Sequence, residues 1–455
     1  MLPQRVMLFA LLMSTALIEQ SVAEEQRPNI VFVLLDNVGQ EWFGCYGSQE
    51  NATPHIDRLA AEGVRFKNCY ATPYCSTSRA MLLSGRYPHT TGWRFHHDAG
   101  IYGGGNFDWH REVTFARILR DAGYATCVAG KWQINNFDEP GQANCLREHG
   151  FEEHLVTPGG KNDSKYWDPL VIENGFRSLR QGKFGPDLYT EFVQDFIRRK
   201  RESPFLVYFP ITLVHTPLPA TPGKQGIEMS PVDLFRENLR YADASIGRLI
   251  ETLESLQLRE NTIIFISADN GGPPSFPART DRGTIRGLMG TFVEPSINVP
   301  MIVNGPTRIP GGRVASLTDY TDVLPTIAQL TGSNIPADRK LDGHSYADWL
   351  QGNASSFERD WIHTALNDER ILRDERFKLY SSGGFFDLLN DPNESVDLTD
   401  SLDPGVESAR RRLKTALQAL PEDRLLDFAP NSVASRRYRD DKAAGKSTLL
   451  RRGIP

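Results

Sequence analysis

Asn29-Ile30-Val31-Phe32-Val33-Leu34-Leu35-Asp36-Asn37 is an unbroken apolar run that stops at two oxygen-bearing side chains. An apolar run without polar alternation reads as a strand buried on both faces, as in a parallel sheet. Residues 262–267 repeat the pattern and lead into Ala268-Asp269-Asn270. Outward from these two stretches, helical periodicity alternates with further apolar runs. Residues 53–63, 76–83, 112–122, 187–200 and 233–256 read as helices, and residues 124–129, 204–210 and 299–303 as strands. That alternation predicts an α/β fold built on a doubly wound mixed sheet. After about Gly352 the pattern changes. Residues 361–365, 370–372 and 377–380 read as short strands and residues 406–420 as a helix, which together predict a small antiparallel α+β subdomain.

The chain has 455 residues, room for two or three domains. Apolar residues make up 40% and charged residues 24%, which excludes disorder throughout, and a net charge of -6 excludes a generally basic nucleic-acid binder. Enzymes and small-ligand binders are left. Residues 1–23 read as a signal peptide: Arg5, then an apolar stretch broken only by Ser14 and Thr15, then Ser21-Val22-Ala23 at the cleavage positions. The stretch is short for a membrane span, so the expectation is a secreted or periplasmic protein without a stable span, with an uncleaved anchor as the alternative. The expected divisions are a main domain over 24–352, the α+β subdomain over 353–430 and a basic tail over 431–455. That tail holds seven Lys/Arg against two Asp. Five cysteines leave at least one thiol without an internal partner, and none of their spacings is a zinc pattern.

Asp36-Asn37 and Asp269-Asn270 each follow a predicted central strand. If the strands are neighbours, four hard oxygen ligands converge, a set that suits calcium or magnesium. The plainer alternative is that each pair begins a turn. Cys75 opens a predicted helix, where the macrodipole favours anions and lowers a thiol pKa, and Arg79 lies on the same helical face. The plainer alternative there is a buried structural cysteine.

Cys75-Ser76-Thr77-Ser78-Arg79, followed by Ser84-Gly85-Arg86, resembles the sulfatase signature Cys-x-Pro-Ser-Arg and then Gly-Arg. Gly123-Tyr124-Ala125-Thr126 with Ala129-Gly130-Lys131-Trp132 resembles a second family block. So do Thr53-Pro54-His55-Ile56-Asp57, Ala268-Asp269-Asn270-Gly271, and Asp387-Leu388 with Asn390-Asp391-Pro392. The resemblance covers roughly residues 28–400, in family order. It implies an alkaline-phosphatase-like fold and hydrolysis of an aryl or carbohydrate sulfate ester. It also implies that a maturation enzyme oxidises Cys75 to formylglycine, whose hydrated aldehyde, held on calcium, attacks the sulfur. By the same resemblance, Asp36, Asn37, Asp269 and Asn270, with the residue made from Cys75, would hold calcium. Arg79 and Lys131 would steady the aldehyde hydrate and the sulfate. His215, in Val214-His215-Thr216-Pro217, would protonate the leaving oxygen and contact substrate. Arg286 is a further candidate for substrate binding, with Arg282 as the alternative.

Four positions depart from the family pattern. Asn37 replaces a second Asp and removes one negative charge from the calcium site. Thr77 replaces the signature proline. Gln133 stands where the family commonly has His, and glutamine is no base at neutral pH. Met289, in Arg286-Gly287-Leu288-Met289-Gly290-Thr291, falls on the family lysine that contacts sulfate. Loss of one such contact removes about 10²–10³ in rate. Two other readings therefore stand beside the sulfatase: a protein of that fold that binds sulfated glycans without turnover, and a related metal-dependent phosphoester or phosphonate hydrolase.

Overall fold

The run that ends at Asp36 forms β1 (Asn29–Leu35), near the middle of a ten-stranded sheet in the computed structural model, which describes residues 27–94, 106–159, 164–357, 359–422 and 424. The other strands of that sheet are β2 (Val64–Tyr70), β3 (Ala125–Lys131), β4 (Glu153–Thr157), β5 (Leu170–Glu173), β6 (Phe176–Leu179), β7 (Phe205–Pro210) and β8 (Thr262–Ala268). A separate hairpin, β9 (Ala278–Thr280) and β10 (Gly283–Ile285), precedes the last two, β11 (Met301–Asn304) and β12 (Arg313–Asp319). The spatial order is β12-β2-β11-β8-β1-β7-β3-β4-β5-β6. β8, β1, β7, β3 and β4 run parallel, and β11 is antiparallel between β8 and β2. β2 therefore points the same way as β8 and β1. The carboxyl ends of β1, β2, β3, β7 and β8 all lie on one edge, where α/β sheets bind ligands.

Both faces of β1 are covered, which is why its sequence does not alternate. Ile30, Phe32 and Leu34 pack with the helices Cys75–Ser84, Phe115–Asp121 and Val323–Leu330. Val31, Val33 and Leu35 pack on the other side with the helices Pro54–Glu62, Gly185–Lys200 and Pro231–Ser255. Truncating Phe32 to alanine in such a site costs about 3–5 kcal/mol.

The C-terminal strands β13 (Ile362–Leu366), β14 (Glu369–Arg373), β15 (Phe377–Tyr380) and β16 (Phe385–Asp387) make a four-stranded antiparallel sheet in sequence order. The helix Pro404–Ala419 covers one face, with Leu413 buried on Leu372, Leu379 and Phe385. The other face docks Ile371 and Phe386 onto Tyr70, Phe292 and Leu317 of the main body. Lys378 is fully buried at that junction. Its ammonium donates to Glu394 at 2.6 Å and to the Phe292 carbonyl at 2.8 Å, and pairs with Glu294 at 2.9 Å.

Residues 1–23 and 431–455 lie outside the described residues. Among those described, no helix is long and apolar enough to cross a membrane. All five cysteines are free thiols.

Candidate active site

β1 and β8 are hydrogen-bonded neighbours in register from Asn29–Thr262 to Leu35–Ala268, so their polar ends arrive side by side. The Asn37 amide donates to Asp269 Oδ1 at 3.1 Å, and Asn270 Nδ2 donates to Asn37 Oδ1 at 2.7 Å. Asn37 takes φ +58°, a left-handed turn that asparagine tolerates better than most residues. All four head groups are buried. Asp36 Oδ1 and Asn270 Oδ1 have no hydrogen-bond partner among the described residues. Two orphaned oxygens in a contiguous buried Asp/Asn cluster suit a hard cation, because dry unpartnered oxygens are otherwise costly.

Cys75 is the first residue of its helix and is 3% exposed. Its sulfur is 3.9 Å from Asn37 Oδ1. Thr77 keeps the first turn closed without proline, its hydroxyl donating to the Tyr74 carbonyl at 2.9 Å. The expectation of a lowered thiol pKa is overturned: the thiol is pushed up to about 12. Burial is the largest cause, and Asp269 and Asp36 add to it against Lys131 and Arg79. A helix terminus carries only about half a charge and cannot offset full burial beside two carboxylates.

Arg79 is fully buried and committed. It donates to Asp269 Oδ2 through Nε at 3.0 Å and Nη2 at 2.7 Å, to Asp36 at 3.2 Å, and to the Lys131 carbonyl at 2.8 Å. Lys131, at the end of β3, donates to Asp36 Oδ2 at 2.6 Å. Burial raises the Asp36 carboxyl, but Lys131, His215 and Arg79 outweigh it and hold it below the ordinary range. The Asp269 carboxyl is pushed up by burial and by the Asp36 charge.

His215 follows β7. One ligand atom each from Asp36, Cys75 and His215 lie within 4.8 Å of one another. Burial first, then Lys131 and Lys165, lower the imidazole to about 3, so it is neutral at neutral pH. Gln133, two residues beyond β3 at φ +72°, has a buried amide oxygen without a partner among the described residues.

The block 286–291 reaches the same edge through its backbone. The Met289 amide donates to the Gly272 carbonyl at 3.1 Å, and the Gly290 amide to the Pro73 carbonyl at 3.1 Å. A Cβ at Gly287 would stand 2.3 Å from the Gly272 carbonyl oxygen, so only glycine fits that crossing. The structure does not bring Arg286 into the buried cluster: its side chain is exposed and donates to the Pro274 carbonyl at 2.8 Å.

Two residues escaped the sequence reading. Lys165 Nζ lies 2.6 Å from His215 Nδ1, although the two are 50 positions apart. Glu41 is buried behind the Asn37 turn. Its carboxylate fills the position that a Cβ on Gly39 would take, Oε1 has no described partner, and burial raises it to about 7. Nothing in the sequence near Gly39 says that a buried carboxylate would lie against it.

Buried oxygens, a thiol and cations at the carboxyl ends of parallel strands make a site suited to an anionic ester. The family model for sulfatases matches residues 28–333, and the chain belongs to the sulfatase family. It is 28% identical over 424 residues to steryl-sulfatase of Mus musculus, an alignment covering 75% of this chain and 68% of that one. It is 32% identical over 354 residues to N-acetylgalactosamine-6-sulfatase of Canis lupus familiaris, covering 70% and 65%. The chain thus spans about two thirds of the length of these relatives. Its fold matches the crystal structure of Ps i-CgsB with a TM-score of 0.78 at 22% identity, covering 93% of this chain and all of that one. A structure in complex with its substrate D-glucosamine-2-N,6-O-disulfate matches with a TM-score of 0.69 at 20% identity, covering 93% and 100%. The sheet order and the small antiparallel C-terminal sheet agree with that fold. As a member of the family, the chain is a sulfatase, an enzyme that cleaves sulfate esters.

Proposed function

We propose that this sulfatase acts after export on sulfate esters of a carbohydrate, using formylglycine made from Cys75 by a maturation enzyme and calcium held by Asp36, Asn37, Asp269 and Asn270. The observation that carries the reading is the cluster of buried Asp36 and Cys75 with half-buried His215, beside the unpartnered oxygens of Asp36 and Asn270. Calcium there would neutralise the sulfate, and a hydroxyl of the hydrated aldehyde would supply the nucleophile that a thiol raised to about 12 does not. Arg79 acts as a positioning residue: it fixes Asp36, Asp269 and the Lys131 carbonyl. Lys131 stands between Asp36 and the pocket as a cation for the sulfate. His215 is neutral in the empty pocket, and a bound sulfate monoanion opposes Lys131 and Lys165 and raises it toward a proton donor for the leaving oxygen. Arg286, an exposed cation, would contact the parts of a substrate that remain outside the buried cluster.

The carbohydrate reading is supported by the relative named for N-acetylgalactosamine 6-sulfate. Two fold neighbours add to it, one solved with k-i-k-neocarrahexaose and one with D-glucosamine-2-N,6-O-disulfate. The test is sulfate release from sulfated mono- and oligosaccharides, with 4-nitrophenyl sulfate as comparator, using protein whose Cys75 is converted. Release that stops with EDTA, returns with calcium and is lost in Cys75→Ala supports the proposal. No release from any saccharide by converted, calcium-loaded protein overturns it.

A further inference from the structure

We infer that Lys165 is the sulfate-binding cation that replaces the charge absent at Met289. The inference rests on the sulfate ester reading above. Without Lys165, the pocket's own side-chain charges cancel, and calcium alone would be left to attract the sulfate. Arg79 and Lys131 are each in contact with Asp36, and Arg79 also grips Asp269, so two cations face two carboxylates. Neutral Asn37 and Asn270 add no charge, and neither does the thioether of Met289 on the Gly272 side. Lys165 enters from the opposite side, from the segment before β5, with its ammonium 2.6 Å from His215 Nδ1.

The approach is built rather than incidental. The Tyr166 hydroxyl donates to the Thr212 carbonyl at 3.0 Å and also bonds the His215 carbonyl, which ties the segment to the loop that carries His215. Behind it, the Lys165 carbonyl sits 2.3 Å from where a Cβ on Gly185 would be, and the Gly185 amide donates to the Tyr166 carbonyl at 2.7 Å.

His215 Nδ1 is also 2.5 Å from the Thr216 carbonyl. A carbonyl only accepts and an ammonium only donates, so one ring nitrogen cannot satisfy both. A bound sulfate resolves the competition. Its oxygens accept from Lys165, and the Nδ1 proton goes to Thr216, leaving Nε2 to serve the leaving oxygen.

The experiment compares wild type, Lys165→Met, Lys165→Arg, and Lys165→Met combined with Met289→Lys, in the full-length chain. Two readouts are taken: binding of inorganic sulfate by calorimetry, and kcat and KM on 4-nitrophenyl sulfate. Lys165→Met is expected to weaken sulfate binding at least tenfold and lower kcat/KM by about 10²–10³. Lys165→Arg is expected to keep most of both, and the double variant to recover at least tenfold over Lys165→Met. Sulfate binding within threefold of wild type in Lys165→Met overturns the inference. So does a folded double variant that recovers nothing while Lys165→Arg is also impaired. Failure of the sulfatase reading looks different: wild type then turns over no sulfate ester, while the sulfate-binding comparison still judges Lys165.

Discussion

Replacing Glu41 with glutamine tests the electrostatics of the floor beneath the site. The carboxyl is 3% exposed, packed where a Cβ on Gly39 would stand, and raised from 4.5 to about 7. Burial is the largest cause, and only Arg282 and a backbone hydrogen bond oppose it. A carboxyl raised in the folded state favours folding when protonated. Its contribution is full below about pH 4.5 and is lost as pH rises through about 7. The shift of roughly 2.5 units, at 1.36 kcal/mol each, is about 3 kcal/mol. For about 400 folded residues the unfolding entropy is near 0.8 kcal/mol per degree, so the loss is about 4 °C in Tm. Glutamine matches the shape and carries no charge at any pH. Thermal melts of wild type and Glu41→Gln in EDTA, at about pH 5 and pH 8, are the assay. The variant is expected to gain about 3 °C relative to wild type at the higher pH compared with the lower, because part of the loss has already occurred at pH 5. Equal differences at the two pH values would refute the reasoning, because the carboxyl would then titrate alike in the folded and unfolded chains.

Asn37→Asp restores a carboxylate to the oxygen cluster, so calorimetric calcium affinity is expected to rise at least ~10-fold; an unchanged affinity would place the cation elsewhere. Arg79→Ala leaves Asp36 and Asp269 buried against each other and is expected to cost about 3–5 kcal/mol in denaturant melts without calcium, with part of the loss recovered when calcium is added. Lys378→Met strips the cation from Glu294 and Glu394 at the junction of the two sheets and is expected to cost a similar ~3–5 kcal/mol, with no calcium dependence. Cys75 left unconverted has a thiol pKa of about 12, so only about one thiol in 10⁴ is ionised at pH 8, and alkylation by iodoacetamide in the native protein should be far slower than that of a free cysteine.

The sequence made β1 and β8 readable because central parallel strands are apolar on both faces, and the polar pair ending each run marked the ligand edge. β4, β5 and β6 were not readable: Leu170–Glu173 is four residues long, and Phe176 in β6 is 81% exposed, so neither length nor alternation signals a strand. The resemblance named Cys75, Lys131 and His215, and the fold brings them to one edge. It did not find Lys165, because a lysine in a polar segment reads as a solvated side chain until the chain folds it against a histidine 50 residues away. The thiol pKa was misjudged for a related reason. Helix position is local and visible in sequence, whereas burial beside Asp36 and Asp269 comes from strands far along the chain.

The central claim is that Cys75 becomes formylglycine despite Thr77 at the signature proline position. The most direct measurement is the mass of the tryptic peptide spanning residues 68–79, from protein made in its native host or beside a maturation enzyme. The account predicts a peptide that has lost the sulfur and two hydrogens of Cys75, gained one oxygen and reacts with a hydrazide. A peptide with Cys75 intact, from protein that nevertheless releases sulfate from its esters, would contradict it.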